Sequence, residues 1–104
     1  MGYASVDEEI RGWADRHSLK LHTTWAGREI RNAYVSSKAG ECFQIWIDPP
    51  VNGRIVVRAD CFEGRHENEA PQEWDTAATA LQATLDTVFA TVLGWMAPSE
   101  RLSA

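Results

Sequence analysis

The sequence predicts an α+β fold: a four-stranded antiparallel β-meander with a short N-terminal helix and a long C-terminal helix packed on one face, in the order α-β-β-β-β-α. Three observations predict it. Apolar and polar residues alternate through four short stretches between residues 19 and 62, the period of a half-buried strand. Turn-forming residues separate these stretches by only a few positions, which favours antiparallel neighbours. On either side, apolar residues recur every three or four positions, the period of a helix.

The first helix is expected over residues 6–17. Ser5 and Glu8 have the spacing of a capping box, in which each side chain satisfies an orphan backbone N–H. Val6, Ile10, Trp13, Ala14 and His17 then form one apolar stripe. Strands are expected at 19–25, 30–36, 42–48 and 54–62. The turns between them are Ala26-Gly27-Arg28, Ser37-Lys38-Ala39-Gly40 and Pro49-Pro50-Val51-Asn52-Gly53.

Register follows from requiring one face to collect the apolar residues, because a one-residue slip inverts every side chain. Pairing Asp48 with Arg54 sets Ile47, Ile45 and Phe43 opposite Ile55, Val57 and Ala59. Slipping by one would set Ile45 against Arg58. Val35 and Ala33 then join Phe43 and Ile45, and a three-residue first hairpin aligns Leu21 with Ala33. The core face reads Leu19, Leu21, Ala33, Val35, Phe43, Ile45, Ile47, Ile55, Val57, Ala59 and Cys61, with Trp25 ending its strand on the core side.

The last helix is expected over residues 71–96. Pro71 suits a first helical position, and Glu73 and Asp75 suit the positive end of the helix dipole. Trp74, Ala78, Leu81, Leu85, Val88, Val92 and Trp95 repeat at helical spacing, and Pro98 stops the run. Such a helix runs roughly 37 Å against about 23 Å for a seven-residue strand, so it should overhang the sheet unless Gly94 ends it early.

At 104 residues the chain is expected to be one domain over 1–104. A pI near 5.1 and a net charge of −5 exclude free nucleic acid as a partner, since phosphate binding needs a basic surface. The acids concentrate in the second half. Residues 60–75 hold Asp60, Glu63, Glu67, Glu69, Glu73 and Asp75 against Arg65 alone. No apolar run is long enough to span a membrane. No basic segment followed by an apolar run opens the sequence, so the cytoplasm is the expected location.

Four features are candidates for function. The outer sheet face should carry Lys20, His22, Thr24, Ile30, Asn32, Tyr34, Cys42, Gln44, Trp46, Val56, Arg58, Asp60 and Phe62. Tyr34, Trp46, Val56 and Phe62 are more apolar than a face turned to water requires. Cross-strand pairing would account for them; a partner face or a ligand platform would too. Secondly, residues 87–99 contain no charged side chain, and Phe89, Leu93 and Met96 are the candidate dimer contacts unless the first helix covers them. Thirdly, the acids Glu63, Glu67 and Glu69 form a solvated loop that could steer a basic partner. Cys61 and His66 also lie there, but no paired-cysteine or His-Glu-x-x-His spacing supports a metal. Fourthly, Cys42 falls opposite Asp60 on the outer face and Cys61 points inward. That argues against a disulfide between them and against a thiolate at Cys42. No nucleophile–base spacing is visible, so no catalytic residue and no cofactor are assigned.

The expectation is a non-enzymatic, acidic protein-interaction module, acting on another and possibly basic protein and itself forming a homodimer. Tyr34, Trp46, Arg58, Glu63, Glu67 and Glu69 are its partner-binding residues. In kind, this small acidic α+β build resembles bacterial immunity and inhibitor proteins and secretion chaperones, with no motif choosing between them. The alternative is a small-molecule-binding or enzymatic domain on the outer face, with His22, Tyr34, Trp46 and Arg58 as ligand contacts. A pocket beside Trp46 with convergent polar groups favours the alternative; a flat face favours the first reading.

Overall fold

The computed structural model describes residues 2–64 and 66–96. The order is α1 (Asp7–Arg16), β1 (Leu21–Trp25), β2 (Arg28–Ser36), β3 (Cys42–Ile47), β4 (Arg54–Glu63), β5 (Gln72–Ala77), a 3₁₀ turn (Ala78–Ala80) and α2 (Leu81–Trp95). The strands form one sheet in sequence order, every neighbouring pair antiparallel, so β1 and β5 are its two edges. The fold is α+β with an antiparallel meander, but of five strands rather than four.

Residues 72–77, expected in the first turns of the long helix, are β5 instead. Trp74 and Thr76 turn inward opposite Val57 and Ile55. Glu73 and Asp75 lie on the outer side and meet Arg58 at 2.9 Å and Arg54 at 3.0 Å. A strand here pairs the backbone groups along β4 that a helix would leave open. Thr84 Oγ1 on α2 donates to Thr76 Oγ1 at 2.9 Å. The helix keeps 15 residues, roughly 22 Å, and the expected overhang disappears. Pro98 lies outside the described residues.

Three turns refine the register. Ala26 and Gly27 both have positive φ, so the first hairpin closes on two residues rather than three, as twisted antiparallel strands prefer. Leu21 still pairs with Ala33, because a bulge between His22 and Thr24 absorbs the difference. Beyond the bulge the facing inverts: Trp25 pairs with Arg28 and is 66 % exposed, not on the core side. The second hairpin matches expectation, with Ala33 opposite Ile45 and Val35 opposite Phe43. In the third, Asn52 and Gly53 form the tight turn with positive φ, and Val51 and Arg54 bond each other across it. Pro49 and Pro50 cannot donate to a ladder, so pairing resumes with Asp48 N–H on the Val56 carbonyl. Ile47 therefore meets Val57, Ile45 meets Ala59 and Phe43 meets Cys61. Every pair is two residues from its expected partner, a shift that preserves faces.

The inner face is the core. Ala33, Phe43, Ile45, Ile47, Ile55, Val57 and Ala59 lie under Leu81, Leu85, Val88 and Val92 of α2, with Ile10, Trp13 and Ala14 of α1 beside them, all essentially buried. The capping box does not form. Val6 N–H bonds the Tyr3 carbonyl, so a turn over 3–6 precedes the helix and no side chain caps it. Asp7, Glu8 and Glu9 in the first turn supply favourable charge instead. At the other end Leu19 N–H reaches back to the Ala14 carbonyl at 2.8 Å around Ser18, whose φ is +56°, a Schellman-type ending.

A polar clamp fastens α1 to the sheet. Arg31 is buried, and its Nε and Nη2 donate to the two carboxylate oxygens of Asp7 at 2.8 and 3.0 Å. Its guanidinium also lies 4.5 Å from the centre of the Tyr3 ring, and Tyr3 Oη donates to the Ile47 carbonyl at 2.7 Å. The hydrogen bond from Arg31 holds the Asp7 carboxyl below its ordinary pKa, while burial pushes the Tyr3 phenol up. Among the described residues, no helix is long and apolar enough to cross a membrane.

Candidate functional site

On the outer face, the pairings align one cross-strand row: His22 on β1, Asn32 on β2, Trp46 on β3, Arg58 on β4 and Glu73 on β5. The row changes character midway. At the β4–β5 end it is ionic. Arg58 Nη1 donates to Asp48 at 2.7 Å and its Nε to Glu73 at 2.9 Å. Those two hydrogen bonds, Asp48's first, raise the Arg58 pKa. The guanidinium offered by sequence as a partner contact is thus held by two carboxylates.

At the β1–β3 end the same row is aromatic and concave. A cavity of about 460 Å³ opens there, walled by Trp25, Ile30, Tyr34, Trp46 and His22, with Thr24 and Asn32 supplying polar atoms. Ligand pockets are typically ~300–1,000 Å³ and largely apolar. His22 meets the Tyr34 ring edge-on with centroids 5.0 Å apart, and Tyr34 meets Phe62 likewise at 5.6 Å. The walls include no Lys, Arg, Asp or Glu.

Asn32 is the unusual member. It stands in the middle of a central strand and is 2 % exposed, and its Oδ1 is sealed from solvent with no hydrogen-bond partner among the described residues. An unsatisfied buried acceptor costs about 1–3 kcal/mol, and Asn is itself a poor strand former. Among the described residues two other buried polar atoms, Trp13 Nε1 and Asp60 Oδ1, are also unpaired. Trp13 is in the closed core, and Asp60 borders a space of only about 20 Å³, room for a single water.

The remaining candidates are dispersed. Glu63 ends β4, five positions from Arg58, roughly 17 Å along a strand. Glu67 and Glu69 are exposed in the following loop, where His66 Nδ1 lies 2.6 Å from Glu69. These acids do not converge with Trp46. Of the proposed dimer contacts, Met96 is buried in the core, Phe89 stacks on His17 with centroids 4.2 Å apart, and Leu93 is exposed. Cys42 sits opposite Glu63 across a bulge rather than opposite Asp60, and is half-buried. Cys61 is buried, which pushes its thiol pKa up. Both thiols are free. Among the described residues, no group of three or more His, Cys, Asp or Glu is placed to hold a metal ion.

Sequence reasoning assigned Trp46, Tyr34, His22 and Asn32 to the outer face but missed Trp25. The signal was the Ala26-Gly27 dipeptide. A two-residue turn is compatible with Leu21 opposite Ala33 only if one residue bulges, and a bulge inverts whatever lies beyond it. Compared with protein-family models, curated proteins and solved structures, the chain shows no match.

Proposed function

We propose that this protein is a small-molecule-binding domain that holds a neutral, largely apolar ligand on the outer sheet face around Trp46. The observation that carries this reading is the cavity of about 460 Å³ walled by aromatic side chains and lined by no Lys, Arg, Asp or Glu. The concave half of the outer face, not a flat one, surrounds Trp46. Burying a ligand charge without a counter-charge would be costly, so the walls select uncharged molecules. Titrating the ¹⁵N-labelled chain with neutral one- and two-ring aromatic compounds tests it. Saturable shifts confined to β1, β2 and β3 around His22, Asn32 and Trp46 are expected. Shifts that never saturate, or that spread over α2 and the core, overturn it.

A second reading is favoured by the exposed rim. Trp25, Tyr34 and Phe62 project there, and aromatic side chains are common anchors of protein interfaces. In this reading another protein docks on the same face, and Glu63, Glu67 and Glu69 steer a basic partner over about a Debye length, ~8 Å at physiological salt. Neutralising those three acids should slow association and flatten its salt dependence. Small-molecule binding should be indifferent to them. Homodimerisation, the other expected assembly, rests on the exposed Leu93 and is read from sedimentation of wild type against Leu93→Lys.

A further inference from the structure

We infer that the ligand of the outer-face cavity carries a hydrogen-bond donor, an aromatic N–H or O–H group, and delivers it to Asn32 Oδ1; the inference rests on the small-molecule reading above. Among the buried polar atoms without a partner, Asn32 Oδ1 is the one whose residue lines a ligand-sized space. A side chain that weakens its strand and leaves an acceptor unpaired is in conflict with the fold around it, and such conflicts mark functional positions. A valine or leucine at this position would suit the strand and leave nothing unsatisfied. What Asn32 adds is an acceptor buried just beneath an apolar cavity, and once reached it discriminates strongly between molecules with and without a matching donor.

Geometry narrows the approach. Asn32 is flanked by His22 on β1 and Trp46 on β3, its direct cross-strand partners. Its oxygen lies below the present surface. The donor therefore reaches it only when the His22 and Trp46 rings part to admit it edge-on, not when it lies flat over them. A planar ring does this with its faces against the imidazole and the indole and its N–H or O–H pointing down. Thr24 at the rim can serve a second polar group of the ligand.

The test uses the full chain with two probes of nearly equal shape, indole and 1-methylindole, titrated by calorimetry and by ¹⁵N-resolved NMR. Indole should bind at least about tenfold more tightly, with the largest shifts at Asn32 and its side-chain amide. In Asn32→Leu the preference should fall to about one, and the ligand-free variant should melt at a higher temperature than wild type because the unpaired acceptor is gone. The wild-type ratio of the two affinities stands even if that variant does not fold. Equal affinities, or a preference for 1-methylindole, overturn the donor inference and leave the cavity reading intact. No saturable shift from either probe at millimolar concentration overturns both. A lower melting temperature in Asn32→Leu overturns the inference as well, since it means that the amide has a structural partner.

Discussion

The two faces of the sheet are built from the same strands and obey different rules. Inside, Phe43, Ile45, Ile47, Ile55 and Val57 meet helix side chains and are buried without exception. Outside, neighbours on those same strands form an ionic half, where Arg54 and Arg58 are paired, and an aromatic half that lines a half-open cavity. The inner face is constrained by volume and tolerates little. The outer face has already met the minimum a solvated sheet requires, so whatever it carries beyond that minimum is open to selection for binding. Aromatic rings and an unpaired amide are that excess.

The sharpest way to break this comparison is to truncate two residues three positions apart on β3. Phe43→Ala should cost about 3–5 kcal/mol in urea unfolding, as large-to-small changes in closed cores do. Trp46→Ala should cost about 1 kcal/mol, because its site is half-open, while abolishing ligand binding. If the two cost the same, Trp46 is a core residue and the cavity loses its defining wall.

Next in size is the clamp between α1 and the inner face. Asp7→Ala removes the bidentate carboxylate from a buried guanidinium that keeps its hydrogen bonds to the Ile30 and Thr23 carbonyls, and should cost about 2 kcal/mol, below the ~3–5 kcal/mol of a fully buried pair because Asp7 is partly exposed. The same contact gives a pH dependence. The folded pKa of Asp7 is depressed by its hydrogen bond to Arg31. Its contribution is therefore fully present above the unfolded carboxyl value of about 4, and is lost as pH falls through the lower folded value. Urea midpoints should drop in that acid window for wild type and drop less for Asp7→Asn.

On the outer face, Arg58→Met should change stability by less than about 1 kcal/mol, since both of its ion pairs are substantially exposed. A loss above 2 kcal/mol would mean that the ionic half is structural in the way the core is. The smallest effect is chemical. Cys42 should react with a thiol reagent faster than Cys61, whose thiol is buried and harder to ionise. The reverse order would place Cys61 on the outer face and invert the sheet.

The inner face was legible in the sequence because its alternation is strict and only one choice of parity keeps Arg58 out of the core. Even the two-residue error at the Asn52-Gly53 turn did no harm to it. The fifth strand was not legible. Trp74, Ala78 and Leu81 carry helical spacing, and Pro71, Glu73 and Asp75 have the chemistry of a helix start, while their cross-strand partners Arg58 and Arg54 lie 15 or more residues away. Local pattern outweighed a distant one. At the site, Trp46 and Tyr34 were found by facing alone. Trp25 was hidden by a bulge, and Asn32 stood in the outer-face list without distinction, because an unpaired acceptor is a property of surroundings that no residue type announces.

The order of elements has a consequence for synthesis. All five strands precede α2, and each pairs with its immediate neighbours in sequence. The sheet can therefore zip up as it leaves the ribosome, one hairpin at a time. The α2 part of its cover comes later: at ~5–20 residues per second, the stretch from Ala78 to Trp95 takes on the order of a second or more to make. For that interval Phe43, Ile45, Ile55 and Val57 lack the cover of α2, with α1 alone beside them, on a sheet whose two edges are β1 and β5. A chain that terminates before Leu81 stays in that state, and its half-covered face and sheet edges are suited to stacking on copies of itself rather than to folding.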